Sequence, residues 1–235
     1  MQTLAFIVCS PTGRVGKTTI ARLLADYFAL GGRPFRAFDT DPRDSNFALR
    51  FPDEAVIADL AKIEGQMALF DGLLLNDGTV KIVDLWHRFF ETFTTVSAQI
   101  GFIAEAERRG ILPIFVFVVD ASPQSYATAN ALARECPEAM MIAVSNEGAA
   151  PLGANVLDEL DRYPTARTFE IPPLDAVLRA AIDEPEFSMS RFLLAPPTTM
   201  SIVVRAGLRT WINRIFAQFR NFELRLAMDS ARYLR

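Results

Sequence analysis

The sequence of 235 residues predicts an α/β fold: a doubly wound, mostly parallel sheet of about six to eight strands with helices on both faces. Two observations carry this prediction. Short apolar runs alternate along the chain with longer amphipathic runs, as in repeated strand–helix–strand units. The first apolar run is followed by a short glycine-containing loop and then a helical run, which is the order in which phosphate-binding loops occur.

This loop spans residues 10–19, with the sequence Ser-Pro-Thr-Gly-Arg-Val-Gly-Lys-Thr-Thr. Backbone N–H groups and a helix N-terminus favour an anion, and Lys17 adds a full positive charge. The Thr18 hydroxyl can bind magnesium, and Gly16 lets the backbone approach phosphates closely. Pro11 stands where the generic pattern has glycine. The alternative interpretation is a plain strand-to-helix turn that contains Gly-Lys-Thr.

Two acidic residues follow the second predicted strand. A helix over residues 17–29 ends at paired glycines, and a strand over residues 34–38 delivers Asp39 and Asp41 to the edge of the sheet where ligands bind. Two carboxylates beside a phosphate indicate a magnesium ion with its water shell. The alternative is an Asp-Pro turn with a helix cap.

A third acidic residue ends the next buried strand. We predict an irregular loop over residues 46–53, a mostly helical region over residues 55–75, and a strand over residues 80–84. Asp84 ends that strand, where phosphate-loop enzymes carry an acid that supports magnesium. His87, the only histidine, follows shortly after, and we interpret it as a hydrogen-bonded structural residue rather than an acid or base.

The remaining chain continues the alternation. Predicted helices span residues 88–109, 122–135, 152–162 and 198–226, and predicted strands span residues 111–119, 139–144 and 166–171. The proline-containing residues 184–197 are interpreted as a connector. We therefore expect a nucleotide-binding domain over residues 1–185, followed over residues 186–235 by a connector and a basic amphipathic helix packed on or beside it.

Charge is distributed unevenly. The chain has a formal net charge of −4, which argues against a surface that binds nucleic acid everywhere, yet residues 199–235 hold seven arginines against two acids. The final helix can lie on an anionic membrane, contact DNA phosphates, or complete the core with a solvated arginine face. With two cysteines, no signal peptide and no apolar run of about 18 residues, we expect a soluble cytoplasmic protein.

These motifs resemble the ParA/MinD group of deviant phosphate-loop ATPases, which partition DNA or position cargo. Residues 12–19 align with that group's Lys-Gly-Gly-Val-Gly-Lys-Thr-Thr, and Asp39-Thr40-Asp41-Pro42 and Asp84 follow in the expected order. Weaker matches are Asn146, where the family contacts adenine, and Ile171-Pro172. The resemblance covers roughly residues 1–185.

The resemblance implies ATP and Mg²⁺ as ligands and a homodimer that forms on ATP binding. It implies Lys17 and Asp41 as catalytic residues, the first on the phosphates and the second orienting the attacking water. The implied nucleotide-binding residues are Gly13, Arg14, Val15, Gly16, Lys17, Thr18, Thr19, Asn146 and Pro172. The implied metal-supporting residues are Thr18, Asp39 and Asp84.

The sequence also departs from this family. Thr12 replaces the signature lysine that reaches the partner's phosphates, so slow hydrolysis is expected. We hypothesise that Arg14 supplies the missing catalytic charge; the alternative is that Arg14 points into solvent. Residues 85–87 are Leu-Trp-His, where the family usually has Thr-Pro-Pro, and this leaves its γ-phosphate sensor unassigned.

Three functions follow from these features. The first is a ParA-like ATPase whose nucleotide state controls dimerisation and the positioning of DNA or a protein cargo. The second is a small-molecule enzyme resembling dethiobiotin synthetase, for which Arg43, Lys81 and Arg88 are the candidate substrate-pocket cations. The third is a regulator that binds nucleotide without hydrolysing it.

Overall fold

The computed structural model describes residues 2–152, 162–163 and 167–232, with side chains described through residue 229. It contains one parallel seven-stranded sheet in the order β3-β2-β4-β1-β5-β6-β7. The strands are β1 Thr3–Cys9, β2 Phe35–Asp39, β3 Ala55–Ile57, β4 Val80–Asp84, β5 Ile111–Val118, β6 Met140–Asn146 and β7 Arg167–Ile171. The predicted fold class is confirmed. Most of the predicted helix at residues 152–162 lies outside the described residues.

Helices cover both faces of this sheet. They are α1 Lys17–Leu30, α2 Asn46–Arg50, α3 Ile63–Leu73, α4 Phe90–Gln99, α5 Phe102–Arg108, α6 Pro123–Glu135, α7 Ala176–Asp183, α8 Met189–Leu194 and α9 Ile202–Arg232, with a 3₁₀ turn at His87–Phe89 before α4. The start of α6 is as predicted: Pro123 opens it, and the Ser122 hydroxyl accepts a hydrogen bond from the Ser125 N–H.

Two predictions between β2 and β4 were wrong. Residues 46–53 include α2 rather than only an irregular loop. Residues 55–75 begin with a strand, since Ala55 pairs with Ala37 of β2 and forms the edge of the sheet. A three-residue strand has too little periodicity to be recognised locally, because its pairing with β2 stabilises it.

Two further boundaries also differ. The helix predicted over residues 88–109 is two helices, α4 and α5, separated by Gly101 at φ 62°. The connector over residues 184–197 contains α8, whose first N–H groups, on Met189 and Ser190, donate to the buried carboxylate of Asp26. A cap supplied by a residue more than 160 positions away has no local signature.

The last helix, α9, starts at Ile202, four residues later than predicted, and packs on the face of the sheet that α1 also covers. Phe222 lies against Phe6 of β1, with ring centroids 6.4 Å apart. Its buried core side chains are Leu208, Trp211, Ile212, Ile215, Phe216, Phe219 and Phe222. The helix thus completes the core, while its arginines at 209, 214, 220 and 225 are exposed. Within the described residues, no helix is both long and apolar enough to cross a membrane.

Candidate nucleotide-binding site

The loop between β1 and α1 turns through two left-handed residues. Arg14 has φ 63° and Gly16 has φ 89°, and α1 begins at Lys17 directly after them. Arg14 is the only non-glycine residue with positive φ among those the structure describes. Holding a side-chain-bearing residue in this region costs about 1–2 kcal/mol. The strain lies at the residue that replaces the family's second glycine.

Lys17 is held inside this loop. Its side chain is buried, and Nζ donates a hydrogen bond to the Thr12 carbonyl at 2.7 Å. Burial lowers the pKa of Lys17, while the nearby Asp84 opposes that shift. An ammonium group has three donors, and the Thr12 carbonyl takes one of them. The loop therefore presents a pre-positioned cation to an incoming anion.

Thr18 and Asp84 form the second polar pair of the site. The Thr18 hydroxyl hydrogen-bonds to the Asp84 carboxylate, and burial raises the pKa of Asp84 to about 7 against that bond. The neighbouring acids Asp39 and Asp41 raise it further, and Lys17 lowers it. A buried carboxyl that resists ionisation is stabilised as an anion when a cation arrives.

The Thr18 hydroxyl and the Asp84 carboxyl suit a magnesium ion, which keeps part of its water shell, better than a metal ion whose ligands all come from the protein. Among the residues the structure covers, no group of three or more His, Cys, Asp or Glu side chains is arranged to hold a metal ion. Mg²⁺ normally keeps several waters and takes only one or two protein oxygens together with substrate phosphates. The Thr18 hydroxyl beside the Asp84 carboxylate offers such a pair.

The carboxylates of Asp39 and Asp41 both accept hydrogen bonds from backbone N–H groups. One Asp39 oxygen accepts hydrogen bonds from Phe47 N and Ala48 N at the start of α2, at 3.0 and 3.1 Å, and the other accepts from Asp41 N. Asp41 in turn accepts from Arg43 N at 3.0 Å. These bonds match the turn-and-cap alternative for this pair. The metal-supporting role of Asp39 stays a prediction, as does the water-orienting role of Asp41.

Hydrogen bonds between strand ends fix these residues relative to one another. The Thr40 hydroxyl donates to the Asp84 carbonyl at 3.1 Å and accepts from Trp86 N at 2.7 Å. Leu85 N donates to the Val8 carbonyl at 3.0 Å. The carboxyl ends of β1, β2 and β4 are thereby joined directly beside the loop.

Asn146, at the end of β6, supports the other side of the loop. Its Nδ2 donates to the Val15 carbonyl at 3.2 Å, and its Oδ1 accepts from Gly148 N at 3.3 Å. Nδ2 also fills the space that a Cβ on Gly16 would need. Asn146 is therefore a structural support of the loop.

A cavity of about 110 Å³ adjoins this support and brings three of the predicted residues together. Its lining includes Thr19, Asn146 and Pro172, with Trp211 of α9. The Trp211 indole N–H donates to the Pro172 carbonyl at 2.8 Å, so α9 fixes the segment that lines the cavity. The cavity adjoins the loop through Asn146, which contacts Val15 and Gly16.

The three candidate substrate-pocket cations do not lie together. Lys81 is fully buried and pairs with Asp77 at 2.5 Å, near the start of β4 and away from the loop, so its prediction as a pocket residue was wrong. Arg43 and Arg88 instead lie over the Trp86 ring, at 5.8 and 5.4 Å from its centroid. Arg14 is exposed.

The contact between His87 and the loop was not predicted. The interpretation of His87 as a hydrogen-bonded residue was wrong, because its imidazole makes no hydrogen bond among the residues that the structure describes. A Cβ on Gly13 would lie 3.2 to 3.4 Å from three atoms of the His87 imidazole, so the ring packs directly on the Gly13 backbone. Burial lowers the pKa of His87, and Lys17 and Arg88 lower it further, whereas Asp41 opposes them. The only signal in the sequence was the departure from Thr-Pro-Pro.

A groove of about 480 Å³ between α4 and α6 was also not predicted. It begins at Pro11 and His87 beside the loop and continues past Arg88 and Glu91 toward Glu135. No single stretch of sequence encodes it, because two helices far apart in the chain form its walls.

The comparison with protein families agrees with this geometry. A family model named CbiA and described as CobQ/CobB/MinD/ParA nucleotide binding domain matches residues 6–193. None of the curated proteins compared with the chain matches it. The matched region includes β1 from Phe6 onward, all of β2 to β7, the phosphate loop, Asp84 and Asn146. The chain therefore belongs to the CobQ/CobB/MinD/ParA nucleotide-binding domain family.

Proposed function

We propose that this protein is a Mg–ATP-dependent switch with slow hydrolysis, whose ATP-bound form is a homodimer that positions DNA or a protein cargo. One observation carries the proposal: the buried Lys17 ammonium, the Thr18 hydroxyl and the Asp84 carboxyl converge at the N-terminus of α1. This combination supports binding of a charged phosphate chain with its metal ion.

Each residue of that cluster has a distinct part in binding. Lys17 neutralises phosphate charge, and its bond to Thr12 holds it in place before the ligand arrives. Thr18 and Asp84 would hold the magnesium ion and its water. Bound magnesium supplies positive charge that stabilises the phosphates. Asn146, Thr19 and Pro172 line the cavity that we assign to the base.

We expect slow hydrolysis because few positively charged side chains among the described residues surround the proposed phosphate site. Thr12 offers no positive side chain, and the nearest extra cation of the loop, Arg14, is exposed. Groups that stabilise the charge of a phosphoryl-transfer transition state contribute about 10³-fold or more in rate. An exposed Arg14 is free to act across a dimer, which supports coupling of turnover to assembly.

The exposed arginines of α9 favour binding of an anionic partner. Arg209, Arg220 and Arg225 are exposed, and the core covers the apolar side of the helix between Leu208 and Phe222. Because that apolar side is covered, contact through charge alone fits the helix better than insertion into a membrane, and duplex DNA is the favoured partner.

A phosphate-release assay with and without duplex DNA tests the proposal. Wild-type protein should bind a fluorescent ATP analogue in the presence of magnesium and release phosphate slowly, and DNA should increase that rate. Lys17→Ala should abolish both binding and release. Light scattering with a non-hydrolysable ATP analogue should show a mass of two 26.1 kDa chains.

Other results would replace the proposal. Tight ATP binding without phosphate release, with or without DNA, would favour a regulator that no longer hydrolyses ATP. A mass that stays that of one chain with the ATP analogue would contradict the dimer. Absence of Lys17-dependent ATP binding would overturn the proposal as a whole.

The groove between α4 and α6 favours a second candidate, a small-molecule synthetase or kinase. It opens beside the loop at Pro11 and carries Arg88, which suits an acidic substrate next to a transferable phosphate. Rapid turnover that requires an added carboxylic acid and ignores DNA would support this enzyme instead.

A further inference from the structure

We infer that His87 contacts the terminal phosphate of the bound nucleotide through an imidazole N–H and thereby distinguishes a nucleoside triphosphate from the diphosphate. The inference rests on the proposed nucleotide function. Residues 85–87 depart from the family's Thr-Pro-Pro, which leaves the contact to the γ-phosphate unassigned. The inference assigns that contact to His87.

The first support is the position of the ring. Three imidazole atoms lie 3.2 to 3.4 Å from where a Cβ on Gly13 would be, so the ring packs against the backbone of the phosphate loop. A side chain in van der Waals contact with that backbone is within hydrogen-bond reach of a ligand that the same backbone binds.

The second support is the part of the loop that the His87 ring contacts. The charges that act on His87 include those of Lys17 and Asp41, the residues to which we assign phosphate binding and orientation of the attacking water. The cavity lined by Thr19, Asn146 and Pro172 adjoins the loop at Gly16, which Asn146 contacts, whereas His87 contacts Gly13. A nucleotide that places its base in that cavity extends its phosphates toward His87.

The third support is that the backbone, and not the imidazole, holds this residue in place. Trp86 N donates to the Thr40 hydroxyl at 2.7 Å, and Phe89 N donates to the Trp86 carbonyl at 2.9 Å. The ring packs on Gly13 and on Trp86, whose ring centroid is 5.8 Å away, and makes no hydrogen bond within the described part of the chain. Its nitrogens therefore remain available to a ligand.

The protonation state suits this contact. Burial, Lys17 and Arg88 all lower the pKa of His87, with Asp41 opposing them, so the imidazole is neutral at pH 7. A neutral imidazole has one N–H donor and one acceptor nitrogen. It can donate to a phosphate oxygen without adding a second buried charge beside Lys17.

The single histidine makes a direct experiment available. In tag-free protein labelled with ¹⁵N-histidine, every imidazole NMR signal comes from His87. A non-hydrolysable ATP analogue with magnesium should shift these signals strongly, and Mg–ADP should shift them much less. Equal shifts with the two nucleotides would overturn the inference.

Two variants provide a second readout. His87→Ala should weaken binding of the fluorescent ATP analogue about tenfold and change ADP binding less than about twofold, because a single hydrogen bond to a charged group is lost. His87→Gln, which keeps a donor, should recover part of the loss. Thr94→Ala, in the same groove but away from the loop, is the matched control and should bind both nucleotides normally.

The outcomes separate the inference from the proposed function. Normal wild-type binding of both nucleotides, with His87→Ala weakening both equally or neither, would overturn the inference alone. Absence of Lys17-dependent binding of either nucleotide would overturn the proposed function and this inference with it.

Discussion

The side-chain nitrogen of Asn146 occupies the space that a Cβ would need on Gly16. The two residues are 130 positions apart in the chain, yet Asn146 also donates to the Val15 carbonyl at 3.2 Å. The shape of the phosphate loop thus depends on the end of β6 as well as on the loop's own glycines. A substitution at either residue should therefore alter the loop.

Gly16→Ala should abolish nucleotide binding. The substitution places a side chain at φ 89° and forces Asn146 to move, and the combined strain should lower the free energy of unfolding by roughly 2–4 kcal/mol. Nucleotide titration and urea denaturation measure the two effects. Gly32→Ala is the matched control, since Gly32 has φ 64° but open space around it. It should cost only about 1–2 kcal/mol and leave binding intact. Equal effects of both variants would contradict the role of Asn146.

The nucleotide-free protein should become less stable as the pH rises from about 4 to 7. Asp84 holds its proton up to about pH 7 when folded but loses it near 3.9 when unfolded, so the folded state binds more protons in between. Its contribution to stability is full below the unfolded pKa and is lost through pH 7, on the order of 2–4 kcal/mol. Denaturant midpoints across this range measure it.

Asp84→Asn should flatten that pH dependence, because an amide keeps an acceptor for the Thr18 hydroxyl without ionising. Asp71→Asn, at an exposed position of α3, is the control and should leave the slope unchanged. The Asp84 variant should also lose magnesium-dependent nucleotide affinity. An unchanged slope in Asp84→Asn would show that other groups cause the dependence.

Arg14→Ala should reduce phosphate release and leave ATP affinity within about threefold, since an exposed side chain that acts in the transition state contributes little to ground-state binding. Steady-state turnover and nucleotide titration separate the two quantities. Arg134→Ala, exposed on α6, serves as the control. Unchanged turnover in Arg14→Ala would remove Arg14 from the catalytic set.

The two sides of α9 should respond differently to mutation. Ile212→Ala removes a fully buried side chain and should lower the free energy of unfolding by about 2–5 kcal/mol. Arg220→Ala, on the exposed side, should change it by less than about 0.5 kcal/mol.

In a DNA-shift assay at two salt concentrations, the Arg220→Ala variant should bind DNA more weakly than wild type. Identical DNA binding by this variant and wild type would argue against the helix as the contact surface.

Local patterns predicted the strand–loop–helix unit around Lys17, the strand that ends in Asp84, and the helix that begins at Pro123, because each depends on residues close together in sequence. They did not predict β3, which exists through its pairing with β2. The cap that Asp39 provides for α2 was recognised only as an alternative. In each case a partner distant along the chain decides the outcome.

The site shows the same division. The candidate phosphate-binding residues can be predicted from spacing alone, since phosphate binding requires those groups in that order. Two other contacts depend on how whole elements pack: His87 on Gly13, and Trp211 on Pro172. Neither contact can be predicted from the local sequence.

The late position of α9 also affects how the protein forms during synthesis. The seven strands are complete at Ile171, but the helix that covers part of their apolar face begins 31 residues later and buries its first fully enclosed side chain at Leu208. A nascent chain on the ribosome therefore exposes aromatic surface around Phe6 and Phe169 after the sheet has been translated. Surfaces of this kind are the ones that chaperones cover, so this protein is most vulnerable to aggregation in the interval before α9 emerges.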